Sequence, residues 1–309
     1  MSMKQTKRGA GLLTAAGLIS AAGVLAVMSG PAATANSDPY AALPETIVLS
    51  GTVRDFQERS ASGGHPDFER RPNSGFGHYM GNVAMELDED DKPVFDGGGY
   101  KVAAQWKDPD GRPIHPSLWN AETGGAEGRR GKSDSGGITS AQSFAQWFRN
   151  VPGVNMASTQ DITLKRQSGS NLYVFDDRHD ENFSGKGGFF PINGRLFGNS
   201  AGNDKNFHFT YELATTFTYE PGTGQTFKFR GDDDVFVFIN GRMVIDIGGV
   251  HGALEQNVNL DELDFVEEGP RNTLHFFFAE RHRTQSNFRL ETTIQLRTAS
   301  LPTTFHMYD

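Results

Sequence analysis

Residues 225–252 read QTFKFRGDDDVFVFINGRMVIDIGGVHG, and this stretch decides the fold. In its first third, phenylalanines alternate with Lys and Arg, which is the period-2 pattern of a strand with one buried face. A second strand, Val235–Ile239, runs into Asn240-Gly241, the dipeptide best suited to a type I′ hairpin turn. The returning strand is Met243–Ile247. The stretch therefore predicts an antiparallel hairpin that follows another strand.

Similar strand patterns recur along most of the chain, and the sequence predicts a single convincing helix, Ala141–Asn150, capped by Ser140. Residues 207–247 are expected to form one continuous antiparallel meander. Residues 120–137 are rich in Gly and poor in apolar residues, which predicts a disordered or protease-sensitive segment. The fold class is therefore all-β, an antiparallel β-sandwich with long loop insertions and one short helix. The other predicted strands are Thr46–Phe56, Ile162–Arg166, Leu172–Phe175, Phe207–Tyr219, Thr273–Ala279 and Phe288–Leu296.

The first 35 residues have the features of a secretory signal peptide. Three basic residues precede an apolar run, and Ala33-Thr34-Ala35 supplies a cleavage site, so cleavage is expected after Ala35. An uncleaved anchor helix is the alternative. Residues 36–45 are predicted to be a flexible leader, 46–298 one sandwich domain and 299–309 a C-terminal tail. The expected location is secreted or extracellular, with no membrane insertion after cleavage.

Charge and composition exclude several classes of function. Loss of the three basic residues of the signal takes the formal net charge from −9 to −12. Such a protein is not expected to bind nucleic acid, and it suits cations and neutral partners such as polysaccharide. The chain has no cysteine, which excludes thiol catalysis, thiolate metal sites and disulfides. The nucleophile-elbow, Walker and His-Glu-x-x-His motifs are absent as well.

Three adjacent carboxylates, Asp232, Asp233 and Asp234, stand between two strongly apolar strands. Like charges this close are costly to hold unless a cation neutralises them or water screens them. A set of ligands with oxygen donors only suits a hard cation, and Ca²⁺ is the usual one. The alternative is a solvated acidic turn, which is what most runs of charge turn out to be.

Three separated stretches carry a family resemblance. GDDDVFVFINGRMVIDIGGVHG (231–252) and FFAERHRTQSNFRLET (277–292), with HPDFE at 65–69, resemble the fibro-slime domain of secreted bacterial and slime-mould proteins. This resemblance runs from about Ile47 to Leu296. More distantly, the 225–296 region is similar to the protective-antigen-type lectin sandwich of yeast flocculins and adhesins.

The lectin resemblance implies a calcium site. In those lectins two adjacent Asp residues, joined by a cis peptide bond, hold Ca²⁺ together with an Asn from a later loop. Carried over by position, the metal ligands are Asp232, Asp233 and Asn287, and these residues also contact the bound sugar. Arg281 and His282, on the same loop as the Asn, are further candidates for ligand binding.

This chain departs from the lectin pattern at two points. Asp234 stands where a small residue often follows the pair, so the acidic pair could be shifted by one position. The second loop is rich in Arg, His and Gln instead of aromatic residues. Within it, Glu280 is either another metal ligand or the ion-pair partner of Arg281 or Arg283.

The resemblance implies a calcium-dependent carbohydrate-binding or adhesion module, and no enzymatic activity is expected. One alternative is a structural component of an extracellular matrix or surface filament, in which calcium only stiffens loops. Another is a secreted glycoside hydrolase that uses paired carboxylates, for which Asp177 and Asp233 are candidates.

Overall fold

The computed structural model describes residues 38–298. The predicted signal peptide and the C-terminal tail lie outside these residues. Within them the chain is nearly all β, with one short α-helix, α1 (Ala141–Ala145), and three single turns of 3₁₀-helix. The strands are β1 (Thr46–Phe56), β2 (Tyr79–Met80), β3 (Tyr100–Ala104), β4 (Arg129–Ser133), β5 (Asn155–Arg166), β6 (Tyr173–Asp176), β7 (Phe209–Tyr219), β8 (Thr226–Gly231), β9 (Asp234–Ile239), β10 (Arg242–Ile247), β11 (Leu254–Asn259), β12 (Gly269–Glu280), β13 (Phe288–Thr292) and β14 (Leu296–Thr298).

Eleven strands form one antiparallel sheet in the order β10-β9-β12-β7-β1-β5-β6-β13-β8-β11, and β14 pairs with β7. The two ends of this sheet meet. The backbone N–H of Asp246 in β10 donates to the side-chain oxygen of Gln256 in β11 at 3.0 Å, and the Gln256 amide donates back to the Asp246 carbonyl at 3.0 Å. The sheet is therefore nearly closed. Because β1, β5 and β6 lie in its middle, these earlier strands belong to the same sheet as the late hairpins.

The main core lies between the two halves of this sheet. Phe276 and Phe278 of β12 face inward and meet side chains from the opposite half. The ring of Phe276 lies 5.2 Å from that of Phe229 in β8, and the ring of Phe278 lies 5.3 Å from that of Phe288 in β13. Buried aromatic pairs of this kind join the two layers. The predicted antiparallel β-sandwich is confirmed.

Helix α1 covers the outer face of β9, β10 and β12. Phe144, Trp147 and Phe148 pack there against alternate residues of the strands, such as Phe236 and Phe277. The helix is shorter than predicted, ending at Ala145. In the segment that follows the helix, the side chain of Asn155 donates to the carbonyls of Gln146 and Arg149. Among residues 38–298, no helix is both long and apolar enough to span a membrane.

The prediction of disorder for residues 120–137 is wrong in part. Strand β4 lies in this segment and pairs with β3, which in turn pairs with β2, to form a small second sheet. Every residue of β4 is exposed. Backbone hydrogen bonds to β3 therefore order the segment, and the hydropathy of its residues does not reveal this pairing.

The predicted hairpin is present, with left-handed Asn240 and Gly241 between β9 and β10. The predicted continuous meander over residues 207–247 is wrong. Strand β7 pairs with β1, β12 and β14, β8 pairs with β11 and β13, and β9 pairs with β10 and β12. A further strand, β11, is not among the predicted strands. The chain therefore crosses between the halves of the sandwich before and after β8, whereas β9 and β10 stay together as a hairpin.

Two of these crossings run side by side. Residues between β8 and β9 cross from one half to the other, as do residues between β12 and β13. The strand register fixes both ends, since Asp234 pairs with Ala279 and Gly231 pairs with Phe288. The acidic segment and the loop that contains Asn287 therefore lie together at one end of the sandwich, as the sequence predicted.

Candidate metal centre

Asp232 is held against Asn287 by three hydrogen bonds. Its backbone N–H donates to the Asn287 carbonyl at 3.2 Å. In return, the Asn287 backbone N–H donates to Asp232 Oδ1 at 2.5 Å, and the Asn287 amide donates to Oδ2 at 2.8 Å. The peptide bond between Asp232 and Asp233 is cis. The structure thus brings together the residues of the predicted acidic pair and the predicted Asn.

Asp233 is clamped by backbone donors from two other segments. The His251 N–H donates to Asp233 Oδ1 at 3.1 Å, and the Arg281 N–H donates to Oδ2 at 3.2 Å. The side chain of Asp233 is buried, like that of Asp232. Both carboxylates are therefore fixed in orientation by the loops around them.

Asp234 has a different role from its two neighbours. Its carboxylate receives two hydrogen bonds from the guanidinium of Arg281, at 2.6 Å from Nε and 3.0 Å from Nη2. Both side chains are buried, at 0% exposure for Arg281 and 1% for Asp234. Asp234 is thus the counter-ion of Arg281, whereas Asp232 and Asp233 form no salt bridge within residues 38–298.

The same contacts correct the predicted ligand-binding role of Arg281. Its guanidinium also donates to the carbonyls of Asp67 and Gly136 and lies over the ring of Trp147. A buried group with all of these partners is not available to a ligand in solution. Arg281 supports the site from the inside of the protein.

His282 lies at the surface of the same loop. It is partly exposed, its Nδ1 lies 2.6 Å from Glu69 Oε2, and its ring lies 4.6 Å from that of Phe76. Phe76 is exposed and belongs to a loop whose next residue, Gly77, hydrogen-bonds to Val250 beside His251. His282 and Phe76 therefore present an aromatic surface beside the segments that clamp Asp233. No sequence pattern marks Phe76, because it lies in a loop without periodicity.

The carboxylates of Asp232 and Asp233 have no cationic side chain in direct contact. Among residues 38–298, neither makes a salt bridge, and the one buried guanidinium nearby is engaged by Asp234. Burial raises the pKa of Asp232, and burial together with the charge of Asp234 raises the pKa of Asp233 well above its usual range. Buried charges persist when they are paired or when they coordinate a metal. Two carboxylates and an amide oxygen fit a hard cation such as Ca²⁺.

Two more buried carboxylates lie near enough for the charges of this cluster to act on them. Glu280, at 0% exposure, has no hydrogen-bond partner for either side-chain oxygen among the described residues, and it makes no ion pair with Arg281 or Arg283 there. Asp177 accepts from the Phe288 N–H through Oδ1, whereas its Oδ2 lacks a partner within the same part of the chain. Burial raises the pKa of Asp177 to about 6, and the charges of Asp176 and Asp232 add to this effect. The sequence analysis named Glu280 as a possible metal ligand and Asp177 as a possible catalytic carboxylate, but it did not predict that both lie near Asp232 and Asp233.

One exposed cation lies at the outer side of the site. Arg178 donates from Nη2 to Asn287 Oδ1 at 2.8 Å. The amide oxygen assigned as a metal ligand is thus engaged by a guanidinium, which bound calcium would have to displace. Because Arg178 is exposed, its displacement costs little.

A second cluster lies beneath the Glu280–Asn287 loop. Ligand-type atoms of Glu58, Glu69 and His208 lie within 4.8 Å of one another. Arg283 forms a salt bridge with Glu58 and lies 3.5 Å from Glu69, and His208 Nε2 lies 3.0 Å from Glu69. Burial alone would raise the pKa of Glu69, but hydrogen bonds from two histidines lower it well below its usual range. Because the negative charges here have cationic partners, we interpret the cluster as an ion-pair network that holds the Glu280–Asn287 loop in place.

The HPDFE stretch, singled out by the resemblance, has a structural role. Asp67 accepts from the indole N–H of Trp147 at 2.9 Å and from the Thr139 N–H at 2.7 Å. His65 Nε2 lies 3.1 Å from the carbonyl of Ser143, and Glu69 joins the network described above. The stretch thus anchors α1 and the site loop to the sheet.

Comparison with known proteins gives relatives in *Dictyostelium discoideum*. No family model matches the chain. The protein psiQ is 40% identical over 171 residues, which make up 52% of this chain and 16% of psiQ. The protein psiH is 28% identical over 265 residues, or 82% of this chain and 31% of psiH. The chain therefore spans less than a third of the length of these relatives.

Solved structures give weaker likenesses. A "PA14 sugar-binding domain from RTX adhesin" aligns over 81% of this chain and 90% of that one, with 11% identity and a TM-score of 0.24. The PA14 domain of the MpAFP antifreeze protein aligns over 85% of this chain and 97% of that one, with 10% identity and a TM-score of 0.25. Likenesses of this size support no inference about function, which therefore has to be argued from the site.

Proposed function

We propose that this chain is an exported module that binds Ca²⁺ through Asp232, Asp233 and Asn287 and binds carbohydrate at the loops around the ion. The observation that carries the proposal is the burial of Asp232 and Asp233 side by side, with neither carboxylate in a salt bridge within residues 38–298. Removing two charges from water without a counter-charge is unfavourable by several kcal/mol per ion. A divalent cation supplies that counter-charge.

The donor set favours calcium over softer metals. Asp232, Asp233 and Asn287 offer oxygen atoms only, and Ca²⁺ takes six to eight oxygen ligands in flexible geometry. The hydrogen bonds that fix Asp232 and Asp233 hold these ligands in place before the ion binds. Bound calcium would supply positive charge and coordination positions for vicinal hydroxyl groups, and this chain's residues would orient the partner.

The carbohydrate half of the proposal rests on the surface of the same loops. Thr284 and Gln285 are exposed polar residues on the Glu280–Asn287 loop, and His282 with Phe76 provides an aromatic surface nearby. Hydroxyl and amide groups match the hydrogen-bonding groups of a sugar, and an aromatic face matches its C–H face. The acidic net charge of the whole chain favours a neutral polysaccharide over a polyanion.

A calcium titration followed by thermal melting tests the metal site. At a hundredfold excess of calcium over Kd, binding stabilises the folded state by about 2.7 kcal/mol. We expect a clear rise in Tm for the wild type and little for Asp233→Ala. Asp264→Ala is the control, because the Asp264 side chain is 93% exposed and lies outside the site. An equal rise in Asp233→Ala and wild type would rule out this assignment.

The second candidate is a structural component of a surface or matrix assembly, in which calcium only joins the two loops. It is favoured by the small exposure of the ligands, 2% for Asp232 and 4% for Asp233. A glycan array with and without a chelator separates the two functions. Carbohydrate binding predicts calcium-dependent signals that His282→Ala weakens while its calcium-induced rise in Tm is retained. Calcium binding with no glycan signal would favour the structural role, and release of reducing sugar would favour a hydrolase.

A further inference from the structure

The carboxylate of Glu280 is the unexplained group of this domain. It ends β12, and the alternation along that strand puts it on the same face as Phe276 and Phe278, toward the interior of the sandwich. Its side chain has 0% exposure, and both of its oxygens lack a hydrogen-bond partner among residues 38–298. An ionised carboxylate in such a place is unfavourable unless something binds it.

The neighbours of Glu280 make the charge harder to hold. Burial and the charges of Asp233 and Asp232 raise the pKa of Glu280 well above its usual range. The Ser286 hydroxyl and the His282 N–H face it and offset part of this rise, but neither reaches hydrogen-bonding geometry. The two arginines of the following segment have other partners, Asp234 for Arg281 and Glu58 for Arg283.

We infer that Glu280 is a further ligand of the cation held by Asp232 and Asp233. The inference rests on the proposed calcium site and extends it from two acidic ligands to three. Glu280 approaches from the interior, whereas Asn287 lies at the outer side, next to exposed Arg178. The ion therefore has a protein ligand on its inner side, and its accessible positions lie on the side of Asn287 and the loop surface.

A buried glutamate with cationic partners provides the matched control. Glu212 is 2% exposed, and its Oε1 lies 3.2 Å from both Arg54 Nη2 and Lys92 Nζ. Removing the charge of Glu212 breaks ion pairs, whereas removing that of Glu280 relieves repulsion. The two substitutions should therefore shift the Tm of the metal-free protein in opposite directions.

The test combines calorimetric titration of Ca²⁺ with thermal melting in excess chelator, on the wild type, Glu280→Gln and Glu212→Gln. For Glu280→Gln we expect at least tenfold weaker calcium binding, together with a higher Tm than the wild type in chelator. For Glu212→Gln we expect unchanged calcium affinity and a lower Tm in chelator. Glu280→Asp keeps the charge with a shorter side chain, and it should weaken calcium binding without raising the metal-free Tm.

Two results would overturn the inference, and they differ from failure of the site itself. If the wild type and Glu280→Gln bind calcium equally well, Glu280 is not a ligand. If Glu280→Gln lowers the Tm in chelator and leaves the calcium-induced rise intact, its role is structural. If the wild type binds no calcium, the proposed site fails, and the role of Glu280 fails with it.

Discussion

Arg281 and Asp234 form a buried bidentate ion pair, with Arg281 Nε 2.6 Å from Asp234 Oδ2 and Arg281 Nη2 3.0 Å from Asp234 Oδ1. The pair divides three consecutive aspartates into one that is neutralised by the chain itself and two that are not. It also joins the segment that follows α1 to the site, because the guanidinium of Arg281 lies 4.8 Å from the ring centroid of Trp147. The proposed calcium ligands therefore lie next to a buried ion pair.

Breaking this ion pair should cost much of the stability of the domain. Arg281→Met leaves Asp234 buried without its partner, and loss of one partner of a buried pair typically costs about 3–5 kcal/mol. The free energy of unfolding in urea measures this cost. Arg242→Met is the control, since Arg242 pairs with exposed Asp264 at 3.9 Å and its loss should change stability by about 0.5 kcal/mol or less. Equal effects of the two substitutions would contradict the structural role of Arg281.

Arg178 should act as a competitor of the cation. Its guanidinium binds Asn287 Oδ1, the amide oxygen that the proposal assigns to calcium. Arg178→Gln removes a positive charge next to the site, and we expect calcium affinity to rise by about 3- to 10-fold at low salt, an effect that shrinks as ionic strength increases. Calorimetric titration measures it, with Arg242→Gln as a control at a distant exposed position. Unchanged or weaker binding in Arg178→Gln would show that the arginine assists the site.

Gly231 should be required for the two crossings to run side by side. A Cβ atom at this position would collide with the Asn287 carbonyl oxygen and would lie 2.7 Å from the ring of Phe229. Gly231→Ala should therefore push the loops apart, at a cost of about 1–3 kcal/mol in the free energy of unfolding, and weaken calcium binding. Gly185→Ala is the control, because nothing lies within 4 Å of a Cβ there. A fully stable Gly231→Ala protein would mean that the crossings can separate without loss.

Acid should destabilise the domain in part through His115. This residue caps the 3₁₀ turn Pro116–Leu118, where its Nδ1 accepts from the Ser117 N–H at 3.2 Å. Burial lowers the pKa of His115 from 6.5 to about 4. The folded protein then binds fewer protons than the unfolded protein between these values, so its stability is complete above pH 6.5 and falls as the pH drops toward 4.

The shift corresponds to about 3 kcal/mol across that interval. His115→Asn keeps a capping oxygen and removes the titration, so its stability should decline less between pH 6.5 and 4 than that of the wild type. Urea unfolding at several pH values measures the difference. His179→Asn, at a histidine whose side chain is 80% exposed, is the control. The assignment fails if His115→Asn is as acid-sensitive as the wild type.

The sequence predicts local structure well where periodicity and turn chemistry agree. Thr46–Phe56 is a strand over the full predicted range, and Asn240-Gly241 forms the expected turn. Pairing of strands distant in the chain leaves no such local signal. The predicted meander over 207–247 was therefore wrong, since β8 pairs with β13 and β9 pairs with β12, both far along the chain. Strand β4 was missed for a related reason, because its exposed residues are ordered by backbone hydrogen bonds.

The site shows the same division between local and distant information. The Asp232-Asp233 pair and Asn287 stand out in the sequence, and the structure brings them together. Arg281 is buried and pairs with Asp234 because of how distant segments pack around it. An Arg-rich loop sequence does not reveal that packing. Likewise, Glu280 lacks a hydrogen-bond partner among the described residues because Arg281 and Arg283 pair with Asp234 and Glu58. Whether calcium and carbohydrate bind remains a prediction from this arrangement.

The strand order has a consequence for how the site comes into being. Asp232 and Asn287 are 55 residues apart, and each lies on a crossing between the two layers. A peptide that contains only the 225–252 hairpin region therefore lacks half of the ligands, and a half-assembled sandwich leaves the acidic side chains in water, where they repel one another only weakly. Occupation by an ion would thus mark chains in which both layers have closed, which makes metal uptake a reporter of completed folding.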